Sequence, residues 1–222
     1  MINVGELFPN FQANSTSGPI QFYDWMENSW CLFLSLHSNF TSVCTTELSG
    51  LIKTQQEFKK RNVKVITSAC NSVDSHNQWI ADIKSYANLQ QTYNLPYPII
   101  ADDQRHLAIE LGTIESNIMD SYGVCLSSRA TFIIDPNKKL RFLSYYPVEI
   151  GRNFEEILRV IDALQLTDRC KIATPLNWKP GQTVMLQSNI SEDKLLVKYP
   201  YLEITSLPSG KRYMKQIPQP IN

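Results

Sequence analysis

The residues best suited to chemistry lie in segment 37–48, whose sequence is HSNFTSVCTTEL. Its cysteine, Cys44, stands where an apolar run at 30–36, which predicts a buried strand, gives way to apolar residues at helical spacing. The amides of a first helical turn favour negative charge, so a thiol placed there loses its proton more easily and becomes a nucleophile. Thr41 lies three residues before the cysteine, and Glu47 lies three residues after it. This pattern predicts a redox enzyme with a single reactive cysteine.

The overall composition narrows the partners that such an enzyme would have. The 222 residues are 43% apolar, which is enough for a real core, and 21 basic residues balance 21 acidic ones. This balance indicates neither nucleic acid nor an anionic membrane as a partner. No apolar run has the length of a membrane span, and no charged-then-apolar leader opens the sequence. We therefore expect a soluble, cytoplasmic protein.

The cysteines predict neither a metal site nor a dithiol motif. They stand at positions 31, 44, 70, 125 and 170, without a Cys-x-x-Cys pair, and only three histidines accompany them. We therefore expect no metal and no cofactor. Cys31 lies inside the apolar run, where a free cysteine behaves as a small buried hydrophobic residue.

The elements that must position Cys44 alternate between strands and helices. The patterns predict a hairpin at 11–22, strands at 30–36, 63–69, 99–101, 129–134 and 140–145, and helices at 44–60, 73–87, 107–111 and 154–164. This order, βαβα followed by ββα, favours an α/β, thioredoxin-like fold with a central mixed sheet flanked by helices. Prolines punctuate the C-terminal part, where only 183–187 predicts a strand. We therefore expect a thioredoxin-like domain at 1–168 and an extended C-terminal arm at 169–222.

Several long segments occur in an order that a known family shares. They are FTSVCTTEL at 40–48, GRNFEEILR at 151–159, LQLT at 164–167, ATPLNW at 173–178 and LPSGKRY at 207–213. In these segments the chain resembles the one-cysteine peroxiredoxins, specifically the peroxiredoxin-6 type. The resemblance implies an antioxidant, thiol-dependent peroxidase that reduces hydrogen peroxide and organic hydroperoxides, and it implies a homodimer.

The resemblance assigns a role to three residues of the reaction. Cys44 is the nucleophile that attacks the peroxide, the Thr41 hydroxyl binds the peroxide, and Arg129 supplies a permanent cation that stabilises the thiolate and the transition state. Each residue also has a simpler interpretation. Cys44 alone could be an inert thiol, Thr41 a helix cap, and Arg129 a surface charge at the start of a strand.

Three further residues are implied as supporting groups. Glu47 lies one helical turn beyond the cysteine and would orient Arg129. His37 and Arg152 match positions near the family's site. His37 ends a strand, so its ring has the alternative of satisfying backbone groups there.

The oxidised cysteine must be reduced by another thiol. After the attack, Cys44 is a sulfenic acid, and the position of the resolving cysteine in two-cysteine relatives corresponds to Thr174 or its neighbour. An external thiol, glutathione or a thioredoxin-like protein, is therefore the expected reductant. Cys170, a few residues earlier, is either an incidental cysteine or a substitute for the resolving one.

The chain also departs from the family at functional positions. Ser38 and Ser42 replace prolines that frame the pocket, so we expect peroxidase activity that is retained but slower. Ser29 lacks the glycines, histidine and aspartate of the family's phospholipase segment, so we expect no lipase activity. The alternative function is that of a degenerate peroxiredoxin that acts as a redox sensor or a chaperone-like binding protein.

Overall fold

The computed structural model describes residues 2–119, 125–186 and 197–220. Contacts along the chain divide it into two compact units, Met1–Phe154 and Glu155–Asn222. The domain boundary predicted at residue 168 stays a prediction. We call these parts the first unit and the second unit and describe each by itself.

The first unit contains Cys44 and the described residues that contact its sulfur. In chain order its elements are β1 (Gln12–Ser15), β2 (Gly18–Gln21), α1 (Phe22–Met26), β3 (Trp30–Ser35), α2 (Ser42–Lys60), β4 (Val63–Ala69), α3 (Val73–Tyr86), β5 (Ile99–Ala101), α4 (His106–Leu111), β6 (Ile114–Met119), β7 (Cys125–Ser127), β8 (Arg129–Ile134) and β9 (Leu140–Tyr146).

A seven-stranded mixed sheet forms the centre of this unit, with the strand order β2-β1-β5-β4-β3-β8-β9. Strand β3 is parallel to β4 and antiparallel to β8. This is the mixed sheet flanked by helices that the sequence predicts, and the prediction is confirmed. The central strand β3 ends directly before the loop that leads into α2, so the loop lies at the C-terminal end of this strand.

Burial on both faces explains the continuous apolar sequence of β3. All six of its residues are buried, because helices cover both faces of the sheet. Cys31 and Phe33 point into a core cluster that also contains Phe8, Phe22 and Phe132. Alternate residues of a strand point to opposite faces, so Leu32 and Leu34 of β3 lie on the other face of the sheet. On the neighbouring strand β8, Phe132 points into the cluster, and Arg129 and Thr131 lie on that other face. Arg129 is thus a charged residue on a buried face.

In the first unit, the structure adds three elements that the sequence patterns do not predict. They are α1 and the antiparallel pair β6–β7. Helix α1 has five residues, too few for a helical period to show. The predicted end of α4 is confirmed, because Gly112 takes the left-handed conformation with a φ of 70° that suits a residue after a helix.

The second unit is built on α5 (Phe154–Cys170), β10 (Val184–Met185), β11 (Glu203–Ile204) and β12 (Lys215–Ile217). Its strands form a sheet in the order β10-β12-β11. Their apolar residues and those of α5 enclose Trp178, which is 1% exposed. The sequence predicts one strand in this part, at 183–187, and the described residues of this unit form three, so the predicted number of strands is wrong. Strands of two or three residues are too short to show the alternation that predicts a strand. Residue 187 itself lies outside the described residues. Within the described ranges, none of the helices has the length and apolarity that crossing a membrane requires.

Candidate active site

The start of helix α2 presents Cys44 in its first turn. Thr41 is the N-cap residue, with an extended backbone at φ −103° and ψ 142°, and Ser42 is the first helical residue. The first intrahelical bond runs from the Thr45 amide to the Thr41 carbonyl. The amides of residues 42–44 precede that bond and have no partner within the helix. The cysteine therefore lies at the positive end of the helix dipole, as the sequence indicates.

Thr41 occupies the cap position without capping through its side chain. Its hydroxyl makes no bond to the amides of the first turn. Instead, Oγ1 donates to the Ser38 carbonyl at 2.9 Å. Because its one proton is used there, the lone pairs of Oγ1 stay available as acceptors.

Arg129 reaches the sulfur of Cys44 from the first position of β8. Its Nη1 donates to Cys44 Sγ at 3.0 Å and to a carboxylate oxygen of Glu47 at 3.1 Å. Its Nε donates to the Val148 carbonyl at 2.9 Å, which holds the plane of the guanidinium. Cys44 is fully buried and Arg129 is 1% exposed. The interpretation of Arg129 as a surface charge is therefore wrong.

Glu47 joins the two arginines of the site. Its Oε2 accepts from Arg129 Nη1 and, at 2.7 Å, from Arg152 Nη2. Its Oε1 accepts from the Arg152 amide at 2.9 Å and from Arg152 Nε at 3.0 Å. Arg152 also donates from Nη1 to the carbonyls of Ser35 and Ala130. The carboxylate thus connects α2, β8 and the segment that precedes α5.

The charges of this cluster determine the ionisation of Glu47 and place a guanidinium against the sulfur of Cys44. Burial alone would raise the pKa of the Glu47 carboxyl, but the charge and hydrogen bonds of Arg152, together with the charge of Arg129, lower that pKa overall. Glu47 is therefore ionised. Two buried arginines and one buried carboxylate leave one positive charge without a partner, and a Cys44 thiolate is the group in contact that would neutralise it.

The remaining predicted site residue, His37, does not join this cluster in the described contacts. Its Nδ1 donates to the Ser127 carbonyl at 3.2 Å. This is the backbone contact that the sequence leaves open as an alternative for a histidine at the end of a strand.

Two of the other described thiols, Cys31 and Cys70, lie in surroundings that raise their pKa. Burial raises the pKa of Cys31, which confirms it as a buried apolar side chain. Burial, together with the negative charge of Asp102, raises the pKa of Cys70 to about 11. Cys170 is a free, partly exposed thiol at the end of α5 in the second unit. The side chain of Cys125 lies outside the described residues.

The segment around Ser29, for which the sequence predicts no lipase activity, is engaged in contacts of the fold. Ser29 is buried in the bend between α1 and β3, where its amide donates to the Met26 carbonyl. Tyr23 of α1 donates its hydroxyl to the Phe8 carbonyl at 2.5 Å. That phenol is therefore already engaged with the backbone.

Sequence reasoning misses a second set of polar residues behind the loop. Asn39 is 6% exposed and lies 3.0 Å, through its side-chain oxygen, from Nδ1 of the buried His76. The available signal is the position of His76 on the apolar face of α3, at helical spacing from Trp79 and Ile83. That signal marks a buried histidine, but it does not name the residue that it contacts.

The site has a buried cysteine at a helix start, hydrogen-bonded to an arginine on a thioredoxin-like sheet. These features are typical of thiol-based redox enzymes. Comparison with known proteins gives the family. The AhpC/TSA family model matches residues 4–143, and the model for the C-terminal domain of 1-Cys peroxiredoxin matches residues 163–200. The chain is 44% identical to peroxiredoxin-6 of Gallus gallus over 218 residues, 98% of this chain and 97% of that protein.

Solved structures agree with this result. A cysteine-to-serine mutant of peroxiredoxin 6 from Arenicola marina matches with a TM-score of 0.95 at 44% identity, and the match covers 100% of both chains. A yeast mitochondrial 1-Cys peroxiredoxin matches with a TM-score of 0.85 at 39% identity, over 98% of this chain and 100% of that one. The chain belongs to the 1-Cys peroxiredoxins of the AhpC/TSA family, and it is a thiol-dependent peroxidase with their thioredoxin-like fold.

Proposed function

We propose that the chain reduces hydrogen peroxide and organic hydroperoxides at Cys44, with Arg129 as the activating cation and Thr41 as the peroxide ligand. One observation carries this proposal: Arg129 Nη1 is shared between Cys44 Sγ at 3.0 Å and Glu47 at 3.1 Å. A guanidinium stays charged at all relevant pH values, so its contact favours the thiolate over the thiol. Glu47 and Arg152 hold it in that place.

In the first step, the Cys44 thiolate attacks one peroxide oxygen. An S–O bond forms as the O–O bond breaks, the sulfur loses two electrons, and the peroxide gains them. The leaving oxygen departs as hydroxide or alkoxide and takes up a proton, giving water or an alcohol. Cys44 is left as a sulfenic acid. Arg129 and the first-turn amides of α2 stabilise the negative charge that moves from sulfur to oxygen.

The hydroxyl of Thr41 is suited to hold the peroxide. Its proton is donated to the Ser38 carbonyl, so Oγ1 offers lone pairs to the O–H of an incoming peroxide. His37 would act as a supporting polar group at the mouth of the site, through the ring nitrogen that does not contact Ser127.

An external thiol would return Cys44 to its reduced form. A thiol attacks the sulfenic sulfur, releases water and forms a mixed disulfide, and a second thiol then breaks that disulfide. The yeast relative's structure describes thiol resolution through glutathione/thioredoxin systems. We assign the same reductants to this chain, glutathione or a thioredoxin-like protein. Cys170 stays the alternative resolving thiol.

The chain would work as a cytoplasmic homodimer. Strand β9 lies at the edge of the seven-stranded sheet, with β8 as its neighbour, and Tyr145 on this strand is 42% exposed. An edge strand offers backbone groups for pairing with a second copy. The free thiols among the described cysteines suit a reducing compartment.

Peroxide turnover with matched variants tests this function. Purified protein supplied with glutathione or a thioredoxin system should consume hydrogen peroxide over many cycles. Cys44→Ser should abolish that activity, and Cys170→Ser should retain it. Mass spectrometry after peroxide treatment should find sulfenic or sulfinic acid on Cys44.

Three outcomes would count against the proposal. Consumption equal to that of Cys44→Ser would refute the peroxidase function. A single oxidation without turnover would favour the redox-sensor alternative. A Cys44–Cys170 disulfide, with activity lost in Cys170→Ser, would replace the external thiol in the resolving step.

A further inference from the structure

Helix α3 anchors the loop 37–41 at two points, one on each side of Thr41. Before Thr41, Asn39 contacts three residues: its amide donates to Asn71 Oδ1 at 3.1 Å, and its side chain lies 2.9 Å from Ser75 Oγ and 3.0 Å from His76 Nδ1. All of these partners lie on α3 or directly before it. The loop is therefore secured by hydrogen bonds at the place where the family's proline is missing.

The second anchor lies after Thr41. The Thr45 hydroxyl donates to the Thr41 carbonyl at 2.8 Å and accepts from Trp79 Nε1 at 3.0 Å. The ring of Phe40 also faces Trp79, with centroids 6.3 Å apart. Thr41, whose hydroxyl is the proposed peroxide ligand, is thus held between two contacts with the same helix.

The protonation of the His76 ring determines which group donates in its hydrogen bond with Asn39. Nε2 lies 3.1 Å from the Ile100 carbonyl, which can only accept, so Nε2 carries a proton. His76 is fully buried, and this burial lowers its pKa from the ordinary 6.5 to about 4, so the ring is neutral at physiological pH. The Nδ1 of a neutral ring with a proton on Nε2 must accept.

The group facing Nδ1 must therefore donate. The oxygen and nitrogen of an amide exchange places by a half-turn, and the hydrogen-bond network decides between the two orientations. With a neutral ring, the Asn39 nitrogen donates to His76 Nδ1, and the Asn39 oxygen accepts from the Ser75 hydroxyl. Each of the contacts with Ser75, His76 and the Ile100 carbonyl then pairs one donor with one acceptor.

We propose that His76 and Asn39 are positioning residues for the peroxidase reaction: the neutral ring accepts from the Asn39 amide and so fixes the loop that carries Thr41. This inference rests on the proposed function, because it concerns the placement of the peroxide ligand. Neither residue contacts the reacting atoms. A misplacement of about 1 Å can cost roughly a hundredfold in rate, so a loosened loop has a measurable effect.

The test measures two quantities in each of four variants. They are the rate of Cys44 oxidation by hydrogen peroxide and the free energy of unfolding in urea. Asn39→Ala removes the donor, and His76→Gln keeps a donor for the Ile100 carbonyl while it removes the acceptor for Asn39. Each should slow the oxidation roughly tenfold. His76→Asn, which keeps an acceptor beside Asn39, should slow it only about twofold.

Ser49→Ala is the matched control. The Ser49 hydroxyl donates to the Ile83 carbonyl at 3.1 Å, so this change removes a buried hydrogen bond between α2 and α3 without touching the loop. It should lower stability and leave the oxidation rate unchanged. In the wild type, ¹⁵N NMR at neutral pH should show a proton on His76 Nε2 and none on Nδ1.

Several results would overturn the inference. One is an oxidation rate in Asn39→Ala equal to that of the wild type. Another is a loss of rate that follows stability alone, so that Ser49→Ala slows the reaction as well. A protonated Nδ1 would overturn the assigned direction. If the wild type itself reduces no peroxide, it is the proposed function that fails.

Discussion

The two regions to which we assign roles in the peroxidase reaction are held together by different physical means. The cluster of Arg129, Glu47 and Arg152 is held by charged hydrogen bonds, with each residue less than a tenth exposed. The contact between Asn39 and His76 uses neutral groups only. Charge in a buried site acts strongly on the energy of the thiolate, whereas neutral hydrogen bonds act on geometry. The difference teaches that thiolate stabilisation and peroxide placement can be altered separately.

The largest expected effect is the removal of charge from Glu47. Glu47→Gln removes the buried carboxylate that Arg129 and Arg152 share, so we expect a loss of about 3–5 kcal/mol in the free energy of unfolding, measured with urea. Glu57→Gln, on the same helix, is the matched control. The Glu57 side chain is 43% exposed and pairs with Lys60 and Arg61 at the surface. Its loss should cost less than about 1 kcal/mol. Equal losses in the two variants would contradict the importance of burial.

The next effect separates the two regions by pH. The pKa of His76 is lowered in the folded protein, so the unfolded chain binds more protons between pH 6.5 and about 4. The contribution of the neutral ring is complete above pH 6.5 and is lost as the pH falls toward 4. We expect a loss of about 3 kcal/mol over this range.

The pKa of Glu47 is also lowered, so its contribution is complete above the ordinary carboxyl value of 4.5 and is lost only at more acidic pH. Unfolding free energies at several pH values would separate these effects. The curve of His76→Gln should be flatter than that of the wild type between pH 6.5 and 4. Parallel curves would show that other groups cause the acid sensitivity.

The smallest expected effect concerns Ser42, one of the two positions at which the sequence lacks the family's proline. Ser42 is the first residue of α2, and Thr41 before it has an extended backbone with ψ 142°, as a residue before proline requires. Ser42→Pro should therefore raise the free energy of unfolding by about 0.4–1 kcal/mol, because it restricts the unfolded chain. Ser42→Ala, tested beside it by urea unfolding, should lack this gain. A destabilised Ser42→Pro would show that the loop needs the amide or the freedom of serine.

Much of the charged cluster could be predicted from the sequence. Cys44 and Glu47 lie one turn apart on a predicted helix, and the resemblance supplies Arg129 and Arg152 from beyond it. In the structure, Glu47 accepts more hydrogen bonds from Arg152 than from Arg129. The sequence did not show this, because Glu47 and Arg152 lie 105 positions apart. Spacing along a chain gives the contacts within one element, but it does not give those between distant elements.

The neutral region was harder to predict for the same reason. The periodicity of α3 marks His76 as buried, yet its partners, Asn39 and the Ile100 carbonyl, come from a loop and a strand elsewhere in the chain. The strands of the fold itself were easier, since β4 is rich in β-branched residues and β5 is a short apolar run. The short strands of the second unit have too few residues for a pattern.

The hydrogen bonds of Glu47 also bear on how the protein is made. They join residues that lie 82 and 105 positions apart, so they form only when most of the first unit has folded. Until Arg152 has been synthesised and has docked, Glu47 lacks most of its hydrogen bonds, and Arg129 is not yet held beside Cys44. On the function proposed above, a nascent chain would therefore meet peroxide before its sulfur has these contacts. The rate of peroxide consumption would then report how much of the protein has reached its native state.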